Sequence, residues 1–298
     1  WAKEYIAQLN EKEKDDHAKV MVQFSPTKPI DLDKQRTYNL GYLFLQQIYY
    51  ALGLPKICEE ITQKHQYEFD LNSVLSRLVY GRILFPASKL STYKLSSNFL
   101  EKPGFELQHV YRALEVIAKE TDFIQAQLYK NSLKLSKRNS GILYYDCTNY
   151  FFEIEQEDGI RQYGASKEHR PNPIVQMGLF MDGDGIPLAF CVNSENTNEQ
   201  LTMKPLEQKI LKDFDLSKFI VCTDAGLASN SNRILNDKEN RAFITTQSIK
   251  KLKKYLMDWA LSETGWRCGK DNSLYDLSAL NEEEDYEKIF FKERWVKE

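Results

Sequence analysis

GILYYDCTNYFF, residues 141–152, and KFIVCTDAGLAS, residues 218–229, decide how this chain reads. Both are short runs rich in Ile, Val, Phe and Tyr, and both predict buried strands. Each run carries one acid, Asp146 in the first and Asp224 in the second, read as strand-end residues set against a core. A carboxylate in such a place costs free energy unless it is paired, hydrogen-bonded or bound to a cation. Two of them on strands lying side by side would hold a divalent metal between them. The alternative is that each Asp caps the turn or helix that follows through its side-chain oxygen.

Between and beyond the acids the pattern is regular. IVQMGLFMD (174–182) and IPLAFCVN (186–193) predict strands joined by the turn Gly183-Asp184-Gly185, hence a hairpin. SENTNEQLTMKPLEQKILKDF (194–214) has Asn and Thr cap candidates and places Leu206, Ile210 and Leu211 on one helical face. After the second acid come a short helix, SNSNRILNDKEN (229–240), and a strand, RAFITTQ (241–247). The order is three strands, helix, strand, helix, strand, with the acids on the first and fourth strands. Hairpin-linked strands followed by helix-alternating ones predict a mixed α/β (α+β) sheet with helices packed on it.

The stretches YYDCTNYFF, YGASKEHRPNPIVQMGLFMDGDGIPLAFCVNSENTNEQLTM and IVCTDAGLASNSNRIL, in this order, resemble the catalytic domain of DDE-type insertion-sequence transposases of the insertion-sequence-four superfamily. LVYGRILFPASKL (78–90) resembles the same family more loosely. The resemblance implies a ribonuclease H-like catalytic domain in which Asp146 and Asp224 are the first two acids of a catalytic triad. It implies two Mg²⁺ (or Mn²⁺) ions per active site, cleavage of DNA at mobile-element ends, joining to target DNA, and a homo-oligomer working on DNA in a bacterial cytoplasm. Two other functions remain open: a ribonuclease H-like nuclease that cuts without joining, and a DNA-binding fragment without catalysis. The family's third acid is a Glu on a late helix, in a Tyr-x-x-Arg-x-x-x-Glu motif with a Lys seven residues on. That motif is absent, and the sequence closes on FFKERWVKE (290–298). The expectation is therefore a chain cut within the β-rich insertion that precedes the Glu, an expectation to which a first residue of Trp rather than Met also points.

The expected organisation is an extended or flexible arm over 1–35, a mostly helical DNA-binding domain over 36–138, the catalytic domain over 139–246, and the start of an insertion over 247–298. SKRNSG (136–141) reads as the linker. The helical half carries apolar residues at helical spacing in 36–54, 70–84, 88–100 and 107–137, with breaks at Gly53 to Pro55, Phe85-Pro86 and Pro103-Gly104. The resemblance implies that it recognises element ends.

The 298 residues, 42% of them hydrophobic, suffice for two domains with sizeable cores. No apolar run approaches the roughly 20 residues of a membrane span. Five cysteines without C-x-x-C spacing imply neither a zinc site nor a disulfide framework, and suit a reducing, intracellular setting. Of these, Cys147 and Cys222 read as small core residues. The net charge of −3 hides an uneven distribution. Residues 70–140 hold eleven Lys or Arg against six acids, whereas 271–298 hold four against nine. Two clusters are candidates for phosphate contact: Lys167, His169 and Arg170 in SKEHRPNP, and Lys250, Lys251, Lys253 and Lys254. The alternative for each is a solvated surface. Ile249, Leu252, Leu256 and Trp259 predict a helix whose lysines cover the opposite face. The chain has neither a G-x-S-x-G elbow nor a Walker-type phosphate loop, which leaves serine hydrolysis and ATP use unsupported.

Overall fold

The computed structural model describes residues 37–164, 169, 171–194 and 197–296. The expected arm at 1–35 and the candidates Lys167 and Arg170 lie outside the described residues. Among the described residues six α-helices come first: α1 (Tyr42–Ala51), α2 (Leu54–Lys64), α3 (Leu71–Leu84), α4 (Lys89–Leu95), α5 (Leu107–Lys119) and α6 (Thr121–Leu135). Their apolar faces meet in one core around Tyr42, Tyr49, Ile61, Val74, Tyr80 and Phe99. The helix α2 begins where the sequence shows a break. Pro55 stands in its first turn, where a missing N–H costs nothing, so the punctuation starts a helix instead of a loop.

The chain then alternates: β1 (Ile142–Phe151), β2 (Ile174–Asp182), β3 (Pro187–Ser194), α7 (Glu199–Asp213), β4 (Ile220–Thr223), α8 (Asn230–Asn236) and β5 (Ala242–Thr245). The five strands form one mixed sheet in the order β3-β2-β1-β4-β5. The first three are antiparallel neighbours, while β4 runs parallel to both β1 and β5. This is the mixed α/β sheet expected of a ribonuclease H-like domain, preceded by helices.

One sheet face is covered. Met203, Leu206 and Ile210 of α7 pack on Leu143, Tyr145, Phe180 and Val221 in the second core. Gly178 of β2 makes room there for the Tyr145 ring, since a Cβ at that position would collide with the Tyr145 hydroxyl. On the other face no packed helix is seen among the described residues, and Tyr144, Tyr150, Phe190, Val192 and Ile244 are exposed on their strands.

The two cores share a helix. In α6, Ala126 and Tyr129 belong to the sheet-side core, while Phe123, Ile124 and Leu128 pack on the helical one. The segment 136–141 is tied down. Arg138 is 4% exposed and pairs with the fully buried Asp182 at the end of β2. Its Nη2 also donates to the Ile186 and Pro187 carbonyls, at 3.2 and 3.1 Å.

After β5 comes a single 3-10 turn (Ile249–Lys251), then α9 (Lys254–Leu261) and a small antiparallel sheet of β6 (Trp266–Cys268), β7 (Leu274–Tyr275) and β8 (Phe290–Phe291). The continuous helix expected over 249–259 is interrupted. Leu252 and Lys253 have ψ of 151° and 145°, outside the helical region. Lys250 and Lys251 therefore sit on the turn, while Lys253 and Lys254 open α9.

Candidate active site

Asp146 does not close its strand: it lies in the middle of β1, and both it and Asp224 are exposed rather than set against the core. The reason is the strand period of two. Leu143, Tyr145 and Cys147 are buried under α7, so Tyr144 and Asp146 face away from it. Pairing of β1 with β4 runs Ile142 to Ile220, Leu143 to Val221 and Tyr144 to Cys222. The pairing stops there, and β4 ends at Thr223, so Asp224 opens the turn that follows the strand beside Asp146. Neighbouring strands lie about 4.8 Å apart, so the backbone of the Asp224 turn starts close to the middle of β1.

Each carboxylate is partly engaged. Asp146 Oδ1 accepts the N–H of Cys147 at 2.8 Å, and Asp224 Oδ1 accepts the N–H of Leu227 at 3.1 Å. The second bond closes a turn over 224–227, the capping role that was the alternative for this residue. Oδ2 of each acid is left without a hydrogen bond to the described residues. The two acids thus offer hard oxygen donors on an open face, a donor set that suits Mg²⁺ or Mn²⁺ with water completing the shell. Among the described residues, no group of three or more His, Cys, Asp or Glu side chains converges closely enough to hold a metal ion.

Of the expected phosphate contacts, His169 is exposed with a φ of 55°, in the left-handed region. Lys251 and Lys253 line a groove of about 1000 Å³ beside the edge strand β5. Arg233, Arg294, Tyr255 and Trp259 line it too, and sequence reasoning named none of these four as site residues. Arg294 lies over the rings of Tyr255 and Trp259, at 5.2 and 5.8 Å from their centroids. The available signal was the interleaving of aromatic and basic residues over 250–259 and 290–295, two segments that only the fold brings together. Thr245 also lines the groove, and its hydroxyl donates to the Asp224 carbonyl at 3.0 Å, so the groove reaches the acids' end of β4 and β5.

No protein-family model matches the chain, and no curated protein sequence matches it. Among solved structures, it is similar to a piggyBac transposase synaptic complex with hairpin DNA, at 11% identity and a TM-score of 0.37, over 72% of this chain and 52% of that one. It is also similar to a Mos1 transposase paired-end complex with left transposon end, at 12% identity and a TM-score of 0.26, covering 60% of each chain. A Mos1 mariner paired end complex with Mn matches at 11% identity and a TM-score of 0.25, over 67% of this chain and 71% of that one. The chain thus spans about half the length of the piggyBac protein.

Proposed function

We propose that this chain carries part of the catalytic site of a DNA transposase, with Asp146 and Asp224 as two of its metal ligands. The observation behind the reading is their placement: Asp146 lies on the uncovered face of β1, and Asp224 directly follows β4, the strand that runs parallel beside it. The order of the motifs around them supports it.

In this reading the two carboxylates hold two Mg²⁺ or Mn²⁺ ions. Bound there, the cations supply Lewis acidity that activates water or a DNA 3′-hydroxyl and stabilises the leaving oxygen of an in-line displacement. The protein's own part is to present one carboxylate from the β1 ladder and the other from the turn after β4. The groove beside β5 suits a nucleic-acid strand, because its cations meet phosphate and its rings offer stacking faces. Lys167, His169 and Arg170 are proposed as further phosphate contacts, with Lys250 and Lys254 flanking the groove. The helical part is proposed to bind element ends, in a homo-oligomer assembled on DNA.

A second reading, DNA binding without catalysis, is favoured by one observation: among the described residues, no third acid joins the pair. Both readings are tested with Asp146→Asn and Asp224→Asn. Mn²⁺ is expected to raise the unfolding temperature of the parent protein and to leave both variants nearly unmoved. An equal shift in all three proteins refutes the metal site. If the site binds metal, cleavage of element-end DNA separates catalysis from binding alone, and strand-transfer assays separate a joining enzyme from a nuclease.

A further inference from the structure

We infer that Thr245, Gln200 and Asn232 are positioning residues that fix the Asp224 turn for cation binding, an inference that rests on the reading of Asp224 as a ligand. The two acids are held in different ways. Asp146 lies within a ladder, paired with Leu179 of β2, and its direction follows from the strand. Asp224 stands one residue past the end of β4, where pairing with both neighbours has stopped. Nothing in the sheet aims it.

Three carbonyls of the turn are instead gripped from three separate elements. Thr245 Oγ1, at the end of β5, donates to the Asp224 carbonyl at 3.0 Å. Gln200 Nε2, in the first turn of α7, donates to the Gly226 carbonyl at 3.0 Å. Asn232 Nδ2, in α8, donates to the Leu227 carbonyl at 2.9 Å and to the Gln200 carbonyl at 3.1 Å, which ties two of the grips together. Asn232 is 3% exposed, so water does not compete for these bonds. Thr223 Oγ1 donates to Thr245 Oγ1 at 3.3 Å and orients that hydroxyl. Gly226 completes the arrangement, because a Cβ there would stand 3.3 Å from Asp224 Oδ1 and crowd the carboxylate. Each bond fixes a peptide plane C-terminal to the acid, so the three together hold the turn whose Leu227 N–H the Asp224 carboxylate accepts.

The experiment is a Mn²⁺ titration of the full chain, followed by water-proton relaxation, on the parent, Asp224→Asn, Thr245→Val, Thr245→Ser and Gln200→Ala, with the metal-free unfolding midpoint measured alongside. Thr245→Val keeps the side-chain shape and removes the donor, while Thr245→Ser restores it. The expected result is Mn²⁺ affinity about fivefold weaker in Thr245→Val and in Gln200→Ala, the worth of one net hydrogen bond, with recovery in Thr245→Ser. The metal-free midpoint of Thr245→Val is expected to stay close to that of the parent. Parent-like affinity in both Thr245→Val and Gln200→Ala overturns the positioning role and leaves the metal site standing. A parent that binds Mn²⁺ no better than Asp224→Asn overturns both. Weakened binding that Thr245→Ser fails to rescue, together with a lowered metal-free midpoint, reduces the role to general stability and also overturns the inference.

Discussion

Glu207 of α7 is fully buried and lies 3.6 Å from Arg241, whose side chain is 4% exposed. The Asn236 side chain is a polar neighbour of the Glu207 carboxyl and favours its charged form, although no hydrogen bond of good geometry from the described residues reaches either Glu207 oxygen or Arg241 Nε. Burial raises the Glu207 carboxyl from 4.5 to about 7, outweighing the attraction of Arg241 and the Asn236 amide, both of which lower it. The proton is thus held more tightly in the folded chain than in the unfolded one. Stability is therefore fully present below pH 4.5 and is lost as pH rises through about 7. At about 1.4 kcal/mol per pH unit, the loss amounts to about 3 kcal/mol between those limits. Glu207→Gln mimics the neutral acid at all pH values. It is expected to match the parent near pH 5 and to exceed it at pH 8 by about 3 kcal/mol, or roughly 6–12 °C in unfolding temperature for a chain of this size. Thermal unfolding of both proteins by circular dichroism from pH 5 to 8 measures this, and the difference between them cancels the other titrating groups. A variant less stable than the parent at pH 8 refutes the reasoning. It would mean that the Glu207–Arg241 pair is ionised and net stabilising, as when loss of one partner strands a buried charge.

Three further outcomes are expected. Arg138→Ala strands the buried Asp182 and should cost about 3–5 kcal/mol in urea unfolding. Burial alone would raise the Asp182 carboxyl, but Arg138 and the Ile186 and Asp184 N–H groups more than offset this and hold it below its ordinary value. Its stabilisation is accordingly present above pH 3.8 and lost as pH falls through the lowered value, a loss that a parent-minus-variant acid titration should register. Gly178→Ala drives a methyl into the Tyr145 hydroxyl, which its 2.7 Å bond to Thr202 keeps from moving away, and about 1–3 kcal/mol of destabilisation is expected by thermal melt. Lys167→Ala combined with Arg170→Ala should weaken DNA binding and flatten its salt dependence by about two counterions; an unchanged salt slope in a filter-binding titration would return that loop to a solvated surface.

Where periodicity carried a single meaning, the sequence was a good guide. The hairpin of β2 and β3 and the order of β4, α8 and β5 follow from alternation and turn residues, and α7 from its cap and its apolar face. Three features were legible only through tertiary contacts. The run 107–137 is helical throughout its pattern, yet it divides between Lys119 and Thr121, because α5 serves the helical core while α6 serves both cores. The exposure of Asp146 was misread because GILYYD looks like one apolar block, although its tyrosines fall alternately: Tyr145 faces the core and Tyr144 faces away. The grips on the Asp224 turn come from residues 200, 232 and 245, which are far apart in the chain and individually unremarkable. Their common role exists only once α7, α8 and β5 have converged on one carbonyl-rich turn.

The bare face of the sheet has a colloidal consequence. Three of the five strands, β1, β3 and β5, present Tyr144, Tyr150, Phe190, Val192 and Ile244 to water, with exposures of 38–59%. Exposed apolar side chains gathered on one face favour association, and Asp146 between Tyr144 and Tyr150 sets a charge among them. The net charge of −3 gives molecules of this size little mutual repulsion. Two copies meeting face to face would shed ordered water from both sheets but would also bring their Asp146 carboxylates out of water, a cost that opposes the contact.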